Sequence, residues 1–249
     1  MTITRSRFAN AYMDIVQNRT FVEYPDYYRH SIERFWKAFD RIQHLELAPS
    51  ARVIDIGGGI MALLLHRLLG LDASVGDVNR RAAGDVEDYG LTFQTVNLMS
   101  DTELPNAHYD LVVLQEVIEH LPEPPYIIFE RIRRFMSPGG ILFLTTPNAA
   151  RIRNLLYYLT GRQVLDNFRY PEPGEALGHQ MEYTLPRMLW QLDRAEFSTI
   201  FADHYEDGWH GASRKARLAH LLARPVAVVP HLRNGLIMAA RNDAGGQPA

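Results

Sequence analysis

From Arg52 onward, short apolar runs typical of β-strands alternate with segments of helical periodicity. Seven runs predict strands: Arg52–Ile56, Ala73–Val78, Leu91–Leu98, Tyr109–Leu114, Ile141–Thr145, Thr199–His204 and Leu236–Arg241. Five segments predict helices: Ala62–Leu69, Glu116–Leu121, Tyr126–Phe135, Arg151–Leu159 and Leu185–Ala195. Strands joined through helices lie parallel in one sheet, with helices on both faces. The sequence therefore predicts an α/β protein with a seven-stranded, mostly parallel sheet.

The chain has 249 residues, the length of one large domain or of one domain with attachments. Residues 1–50 are predicted to form an N-terminal helical cap, because Ser31–Ile42 repeats apolar side chains at helical spacing. This cap is interpreted either as packing for the core or as a lid over an active site. Residues 51–242 form the predicted α/β domain, in which residues 149–184 are an insertion or lid after the fifth strand. Residues 243–249 are predicted to be a disordered tail.

Charge and composition exclude several classes of protein. Lys and Arg number 26 against 29 Asp and Glu, a net charge of -3, which disfavours a protein that binds the phosphate backbone of nucleic acid. The chain has no cysteine, so disulfides, thiolate metal sites and cysteine nucleophiles are excluded. The sequence has no run of roughly 18 apolar residues that could span a membrane, and its first residues lack the apolar stretch of a signal peptide. We therefore expect a cytoplasmic protein, with its oligomeric state left open.

Three consecutive glycines, Gly57, Gly58 and Gly59, lie between the first predicted strand and the next helix. Glycines let the backbone approach a ligand closely, and a helix N-terminus adds free N–H groups. Asp77 lies in the second strand, 22 residues after Asp55, where an acid can bind the hydroxyls of a ribose. This pattern predicts an adenosine-bearing cofactor. It also fits a dinucleotide motif, but the carboxylate of Asp55 would repel a pyrophosphate and suits a cationic ligand.

These residues, together with Gln115–Leu121 and Ser137–Gly140, resemble the class I S-adenosylmethionine (SAM)-dependent methyltransferases. The resemblance covers the chain from about Val53 to Arg241 and implies a Rossmann-like fold. It implies that the glycine loop contacts SAM, that Asp77 binds the ribose hydroxyls, and that the adenine lies near the ends of strands two and three. The predicted cofactor residues are Asp55, Gly57, Gly58, Gly59, Asp77, Val78, Asn97, Leu98 and Gln115.

Two positions depart from the pattern of this family. Met61 stands where the family has its third glycine, and its side chain is predicted to crowd the methionine end of SAM. Asn97 stands where the family usually has Asp, although its amide oxygen can still accept a hydrogen bond from the adenine amine.

Glu116, Glu119 and His120 have i, i+3 and i+4 spacing, so a helix would place them on one face. That helix begins at the carboxyl end of the fourth strand, the edge where ligands bind in open α/β sheets. Two carboxylates and an imidazole can hold a divalent cation, and His179 in the insertion is the predicted fourth ligand. The four residues together therefore predict a Mg²⁺ or Mn²⁺ site.

This set resembles a motif of the small-RNA 3′-terminal 2′-O-methyltransferases, which have an E-x-x-E-H helix and a distant His followed by Glu-aromatic-Thr, here Glu182–Thr184. Ubiquinone-type O-methyltransferases are similar around the E-H-L stretch. The resemblance implies that a divalent ion holds two adjacent hydroxyls and lowers the pKa of one of them. A metal-free site, in which His179 or His120 acts as general base, is an open alternative. In a third interpretation neither histidine is catalytic.

The combined pattern predicts a SAM-dependent O-methyltransferase with His179 and His120 as catalytic residues. The expected acceptor is a hydroxyl of a sugar, a glycan precursor or another diol-bearing small molecule. RNA 3′ ends and quinone precursors are alternative acceptors, and the net charge of -3 disfavours RNA. Two other classes stay open, an NAD-dependent oxidoreductase and a non-catalytic SAM-binding module, the latter favoured by Met61.

Overall fold

The computed structural model describes residues 2–18, 25–100, 104, 108–167, 169, 178–207 and 228–243. Seven α-helices lie in these ranges: α1 (Arg5–Asn18), α2 (Pro25–Gln43), α3 (Ile60–Leu69), α4 (Ala83–Asp88), α5 (Pro125–Phe135), α6 (Ile152–Leu159) and α7 (Leu185–Arg194). Seven strands accompany them: β1 (Arg52–Ile56), β2 (Asp72–Asp77), β3 (Thr92–Thr95), β4 (Tyr109–Gln115), β5 (Met136–Pro147), β6 (Phe197–Tyr205) and β7 (Gly235–Asn242). The predicted helix–strand alternation is thereby confirmed.

All seven strands form one sheet in the order β3-β2-β1-β4-β5-β7-β6. Strands β1 to β5 pair in parallel, whereas β7 runs antiparallel to both of its neighbours, β5 and β6. The chain reverses its direction of sheet growth between β1 and β4, which lie side by side. In open α/β sheets the crevice at such a point, outside the carboxyl ends of the strands, is where ligands bind. The Rossmann-like, mostly parallel sheet that the sequence predicts is confirmed.

Helices cover both faces of the sheet because successive strand residues point to opposite sides. Val53 belongs to one buried cluster, shared with α1 to α4, and its neighbour Ile54 belongs to a second cluster, shared with α5 and α7. The same alternation separates Val113 from Leu114 in β4. Both faces are therefore buried, which explains why the strands are apolar runs rather than alternating ones.

The N-terminal helices α1 and α2 pack on the first face through aromatic side chains. The ring of Phe8 lies 5.2 Å from the rings of both Trp36 and Phe39, and Tyr12 lies 5.2 Å from Phe35. Each buried aromatic of this kind contributes about 1.5–3 kcal/mol to stability. The helical cap is thus part of the hydrophobic core, as the first of the two interpretations predicts. Whether it also covers an active site stays a prediction.

The helix predicted over Glu116–Leu121 is wrong. Glu116 adopts a left-handed backbone conformation with φ of 54°, and only Ile118–His120 form a single 3-10 turn. The left-handed residue ends β4 abruptly, so the i, i+3, i+4 geometry of a helix does not apply here. Strand β5 also begins earlier than predicted, at Met136, and includes Pro138, Gly139 and Gly140.

The limits of the cap, of the insertion and of the tail remain predictions. Residues 149–167, 169 and 178–184 of the insertion are described, and α6 lies within them. Of the predicted tail only Asp243 is described, and residues 244–249 lie outside the described part. Among the described helices, none combines the length and the hydropathy that a bilayer-spanning segment requires.

Candidate active site

The glycine loop begins directly after β1 at the crevice beside β4. Gly57 and Gly59 have φ of 89° and 94°, a region that side-chain-bearing residues rarely adopt. A Cβ at Gly57 would lie 2.5 Å from Cγ2 of Val117, so the loop and the segment after β4 approach each other closely. Gly58 is exposed, and a Cβ there would meet no atom within 4 Å. The loop therefore presents open backbone at Gly58 and tightly packed backbone on either side.

Asp55, near the end of β1, holds this loop in place. Its Oδ2 atom accepts hydrogen bonds from the backbone N–H groups of Gly59, Met61 and Ala62, at 3.0, 3.1 and 3.2 Å. These are N–H groups of the first turn of α3, which otherwise lack helical partners. Burial raises the pKa of Asp55 to about 6, and the three N–H donors oppose this rise. The predicted cofactor role of Asp55 stays a prediction; in the structure its Oδ2 atom is engaged with the backbone of the loop.

The other predicted cofactor residues lie along the same edge. Asp77 ends β2 and accepts a hydrogen bond from the backbone of Asn79, and Val78 is exposed beside it. Asn97 follows β3 and accepts from the backbone N–H of Met99, and Leu98 is buried. The structure thus brings the ends of β1, β2 and β3 together as the sequence predicted.

Gln115, the last residue of β4, carries a signal that fits a bound ligand. Its amide oxygen and nitrogen are both buried, and neither has a hydrogen-bond partner within the described ranges. Unsatisfied buried amides are costly, so they commonly mark a place where a ligand or an ordered water binds. Gln115 with the open backbone at Gly58 and the carboxylate of Asp77 fits SAM, which offers polar groups at both ends.

Met61 does not intrude on this edge. Its side chain has no exposed surface and packs in the hydrophobic cluster under the sheet. The expected crowding of SAM by Met61 is therefore not seen, because the side chain points into the core rather than over the loop.

Three of the four predicted metal ligands lie together. Glu119, His120 and His179 each offer one ligand atom, and these atoms all lie within 4.8 Å of one another. Oε2 of Glu119 accepts from the hydroxyl of Thr146 at 3.0 Å. Its Oε1 is buried, has no hydrogen-bond partner in the described part of the chain, and lies 3.9 Å from Nε2 of His120. One carboxylate oxygen thus faces the two imidazoles and is available to a ligand.

Glu116 lies outside this group. Its Oε1 accepts hydrogen bonds from the hydroxyls of Thr145 and Tyr205, at 2.9 and 3.3 Å. Its Oε2 lies 3.4 Å from the guanidinium of Arg34, which α2 delivers from the N-terminal cap. Glu116 has the left-handed backbone that ends β4, and its carboxylate is held by Thr145, Tyr205 and Arg34.

His179 reaches Glu119 because the returning end of the insertion is anchored there. The backbone N–H groups of Gln180 and Met181 donate to the carbonyl of Glu119, at 2.8 and 3.1 Å. A backbone bridge between Asn148 and Tyr183 fixes the same segment against the end of β5. The rings of His120 and His179 then meet edge to face, with centroids 4.8 Å apart.

The electrostatics of the group favour a positive ligand. Burial, and then the nearby charge of Glu116, raise the pKa of Glu119 well above its ordinary value. Glu182 is also buried, but hydrogen bonds from His179 and Asn154 and the charge of Arg151 outweigh that burial and lower its pKa. The negative charge of Glu182 is therefore compensated by its hydrogen bonds and by Arg151. At Glu119 the hydrogen bond from Thr146 and the charge of Arg34 do not outweigh burial.

Reasoning from the sequence missed Arg34, Thr146 and the bonding of Glu182. Glu182 had a local signal, since it follows His179 by three residues. Arg34 had none, because it lies in another element and meets Glu116 only in the folded chain.

The comparisons with known proteins agree with this geometry. A family model described as a methyltransferase domain matches residues 24–200. The chain therefore belongs to this methyltransferase family, and the sheet and the glycine loop make it a class I SAM-dependent methyltransferase. This membership replaces the alternative of an NAD-dependent oxidoreductase.

Two curated relatives are both named ubiquinone biosynthesis O-methyltransferase. That of Paraburkholderia phymatum is 26% identical over 144 residues, 51% of this chain and 61% of the relative. That of Burkholderia thailandensis is 34% identical over 122 residues, 45% of this chain and 49% of the relative. The chain thus spans between about half and three fifths of the length of these relatives. They are consistent with the family and carry no substrate over to this chain.

Among solved structures, geranyl diphosphate C-methyltransferase from Streptomyces coelicolor is similar with a TM-score of 0.58. It is 14% identical and the similarity covers 90% of this chain and 86% of that one. At this identity the likeness shows the fold alone, the same SAM-dependent methyltransferase fold that the sheet order defines.

Proposed function

We propose that the protein transfers the methyl group of SAM to one hydroxyl of a vicinal diol, with a divalent ion held by Glu119, His120 and His179. The acceptor is a sugar, a glycan precursor or another diol-bearing small molecule. The observation that carries the proposal is the group of three ligand atoms within 4.8 Å, one of them a buried carboxylate oxygen without a hydrogen-bond partner among the described residues. This group lies at the carboxyl edge of the sheet, where the glycine loop also lies.

On the cofactor side, we assign SAM to the loop of Gly57, Gly58 and Gly59 and to the ends of the neighbouring strands. Asp77 would bind the ribose hydroxyls, and Gln115 would use its buried amide. Val78, Asn97 and Leu98 would surround the adenine. Asp55 acts indirectly, by holding the loop through three backbone N–H groups.

The donor set supports Mn²⁺ over Mg²⁺ as the ion. Imidazole nitrogens suit borderline transition metals, and Mg²⁺ prefers oxygen ligands. With Glu116 bound to Arg34, two imidazoles and one carboxylate remain. Three protein ligands leave coordination positions open, as catalytic metal sites require. Those positions would suit the two oxygens of a diol.

The chemistry is a nucleophilic substitution at the methyl carbon. The acceptor oxygen forms the new O–C bond as the C–S bond of the sulfonium breaks, and the hydroxyl proton passes to solvent water. A bound divalent ion supplies positive charge that lowers the pKa of the hydroxyl. Glu119, His120 and His179 would hold the ion, and the ion would orient the diol so that one oxygen lies in line with the methyl group. The protein around the cofactor excludes water from the methyl group and selects the acceptor.

A metal-free mechanism is the competing account of the same residues. In it His179 or His120 would take the hydroxyl proton as general base, which contributes about 10²–10⁴-fold to rate. The oxygen of Glu119 near His120, which has no hydrogen-bond partner in the described part of the chain, supports the metal account, because a base would not need an adjacent buried carboxylate oxygen left without a hydrogen bond.

A quinone precursor is the second candidate acceptor, supported by the names of the two curated relatives. An aromatic ring with two adjacent hydroxyls is also a vicinal diol, so the same three ligands would serve it. The 3′ end of RNA would present a diol too, but a net charge of -3 disfavours a polyanionic substrate. The same proposal includes a cytoplasmic location, a cap formed by residues 1–50 and a lid formed by residues 149–184.

Calorimetric titration of Mn²⁺ and Mg²⁺ into protein saturated with S-adenosylhomocysteine tests the metal. We expect saturable Mn²⁺ binding to the wild-type protein, loss of that binding in His179→Ala, and no change in His44→Ala, which removes an exposed histidine. Absence of Mn²⁺ binding to the wild-type protein would contradict the metal site and return His120 and His179 to the role of general bases.

Methyl transfer from labelled SAM then distinguishes the acceptors. The panel contains sugars with vicinal hydroxyls, catechols, and the corresponding compounds with one hydroxyl removed. We expect transfer only to the diols, with loss of transfer on addition of a chelator. Equal transfer to the single-hydroxyl compounds would contradict the diol acceptor, and transfer to catechols alone would select the quinone-precursor candidate.

A further inference from the structure

Glu182 follows His179 by three residues and contacts the imidazole ring at Nδ1. The side chain of Glu182 is 2% exposed, and its Oε1 lies 3.2 Å from Nδ1 of His179. The two ring nitrogens of histidine are distinct, and the hydrogen bond made by one decides which of them carries the proton. A carboxylate at Nδ1 keeps the proton there and leaves Nε2 as a bare acceptor.

The carboxylate of Glu182 is itself fixed by residues at the start of the insertion. Arg151 pairs with Oε1, and the buried amide of Asn154 donates to Oε2 at 2.6 Å. The guanidinium of Arg153 lies 3.7 Å away. Arg151 and Arg153 are therefore both engaged with Glu182. The two ends of the insertion are joined at this point.

We propose that Glu182 is a positioning residue, which sets the tautomer and orientation of His179 so that Nε2 faces the ligand group, with Arg151 and Asn154 holding the carboxylate of Glu182 in place. The inference deepens the proposed function and rests on it for the role of Nε2. Outer partners of this kind typically change metal affinity by about 10–100-fold when they are removed.

The first measurement needs no metal. Two-bond ¹H–¹⁵N spectra of the imidazole rings report which nitrogen carries the proton, and comparison with His179→Ala assigns the signals of His179. At alkaline pH we expect the Nδ1–H form of His179 in the wild-type protein and a shift towards the Nε2–H form in Glu182→Ala. Glu182→Gln should restore the Nδ1–H form, because the amide oxygen still accepts a hydrogen bond. An unchanged tautomer in Glu182→Ala would overturn the inference.

The second measurement is the affinity for Mn²⁺ alone. We expect about 10–100-fold weaker binding in Glu182→Ala and a smaller loss in Glu182→Gln. Glu33→Ala, which removes the carboxylate of the Arg5–Glu33 pair in the N-terminal cap, is the matched control and should bind Mn²⁺ as the wild type does. Unchanged Mn²⁺ affinity in Glu182→Ala, with binding lost in His179→Ala, would remove the positioning role and leave the proposed function intact.

Failure of the wild type to bind Mn²⁺ would instead contradict the proposed function, and the tautomer measurement would still decide the role of Glu182. Glu182→Ala leaves Arg151 as a buried charge without its partner, which costs stability. If that variant does not fold, the double variant Glu182→Met with Arg151→Met replaces both charges by apolar side chains and serves the same two measurements. It should show the Nε2–H form and weak Mn²⁺ binding, and wild-type behaviour in both would overturn the inference.

Discussion

The two halves of the candidate site are built in different ways. The cofactor half is centred on one continuous loop, from Asp55 to Ala62, whose hydrogen bonds join residues four to seven positions apart. The acceptor half joins Glu119 to His179, which lies 60 residues further along the chain. One half is a local backbone structure, and the other exists only because the insertion returns to the end of β4.

This difference explains which details of the site were predictable. A glycine loop after a strand has few conformations, so its residue types indicate its shape. The acceptor half depends on the left-handed backbone at Glu116 and on the anchoring of residues 178–184, neither of which has a local pattern. The two halves should therefore respond independently to substitution, and four variants test that independence.

The largest effect is expected from Glu119→Gln in the acceptor half. The amide keeps the shape of the side chain and the contact with Thr146 but removes the negative charge, so kcat should fall by about a thousandfold. The affinity for S-adenosylhomocysteine should stay within about twofold, because Glu119 does not contact the loop. Steady-state kinetics and calorimetry measure both, with the exposed Glu46→Gln as control. Equal loss of cofactor binding would show that the halves are coupled.

Gly57→Ala is expected to affect the other half of the site and to weaken cofactor binding. A Cβ at φ of 89° and 2.5 Å from Val117 would force the loop to move, at about 1–3 kcal/mol, which is roughly 10–100-fold in cofactor affinity. Calorimetry with S-adenosylhomocysteine measures the loss. Gly84→Ala, at an open helical position, should leave affinity unchanged. Gly58→Ala should keep the melting temperature of the wild type, which Gly57→Ala should not.

Asp55→Asn tests how Asp55 holds the glycine loop, and the test is the pH dependence of the free energy of unfolding. Because the folded-state pKa of Asp55 is about 6 and its ordinary value is 3.8, the folded protein binds the proton more tightly than the unfolded chain. The stability from this group is thus present at low pH and is lost as pH rises through about 6. Between about pH 4.5 and about pH 7.5 the wild type should lose about 2 kcal/mol relative to Asp55→Asn.

Urea unfolding of both proteins at the two pH values measures this difference. Ser198→Ala, an exposed position on β6, serves as the reference for the general pH response of the fold. Parallel pH profiles for the wild type and Asp55→Asn would mean that Asp55 keeps an ordinary pKa and that the loop is held by other contacts.

The smallest effect is expected from Asn97→Asp, which restores the residue usual in the family. The side chain would still accept from the backbone N–H of Met99, and its charge would strengthen the proposed hydrogen bond from the adenine amine. A charge-assisted bond exceeds a neutral one by about 1 kcal/mol, so S-adenosylhomocysteine should bind up to about fivefold more tightly. Weaker binding in this variant would place the adenine elsewhere.

The sequence by itself determined the sheet, its helices and the loop that follows β1, because apolar periodicity and glycine conformations are local properties of the chain. It also named Glu119, His120 and His179 as partners. Only the tertiary structure decided that Glu116 turns to Arg34, that Met61 points into the core, and that Glu182 is held against His179 by Arg151 and Asn154. These outcomes depend on contacts between elements that lie far apart in the chain: α2 with the end of β4, α3 with the sheet, and the start of the insertion with its returning end.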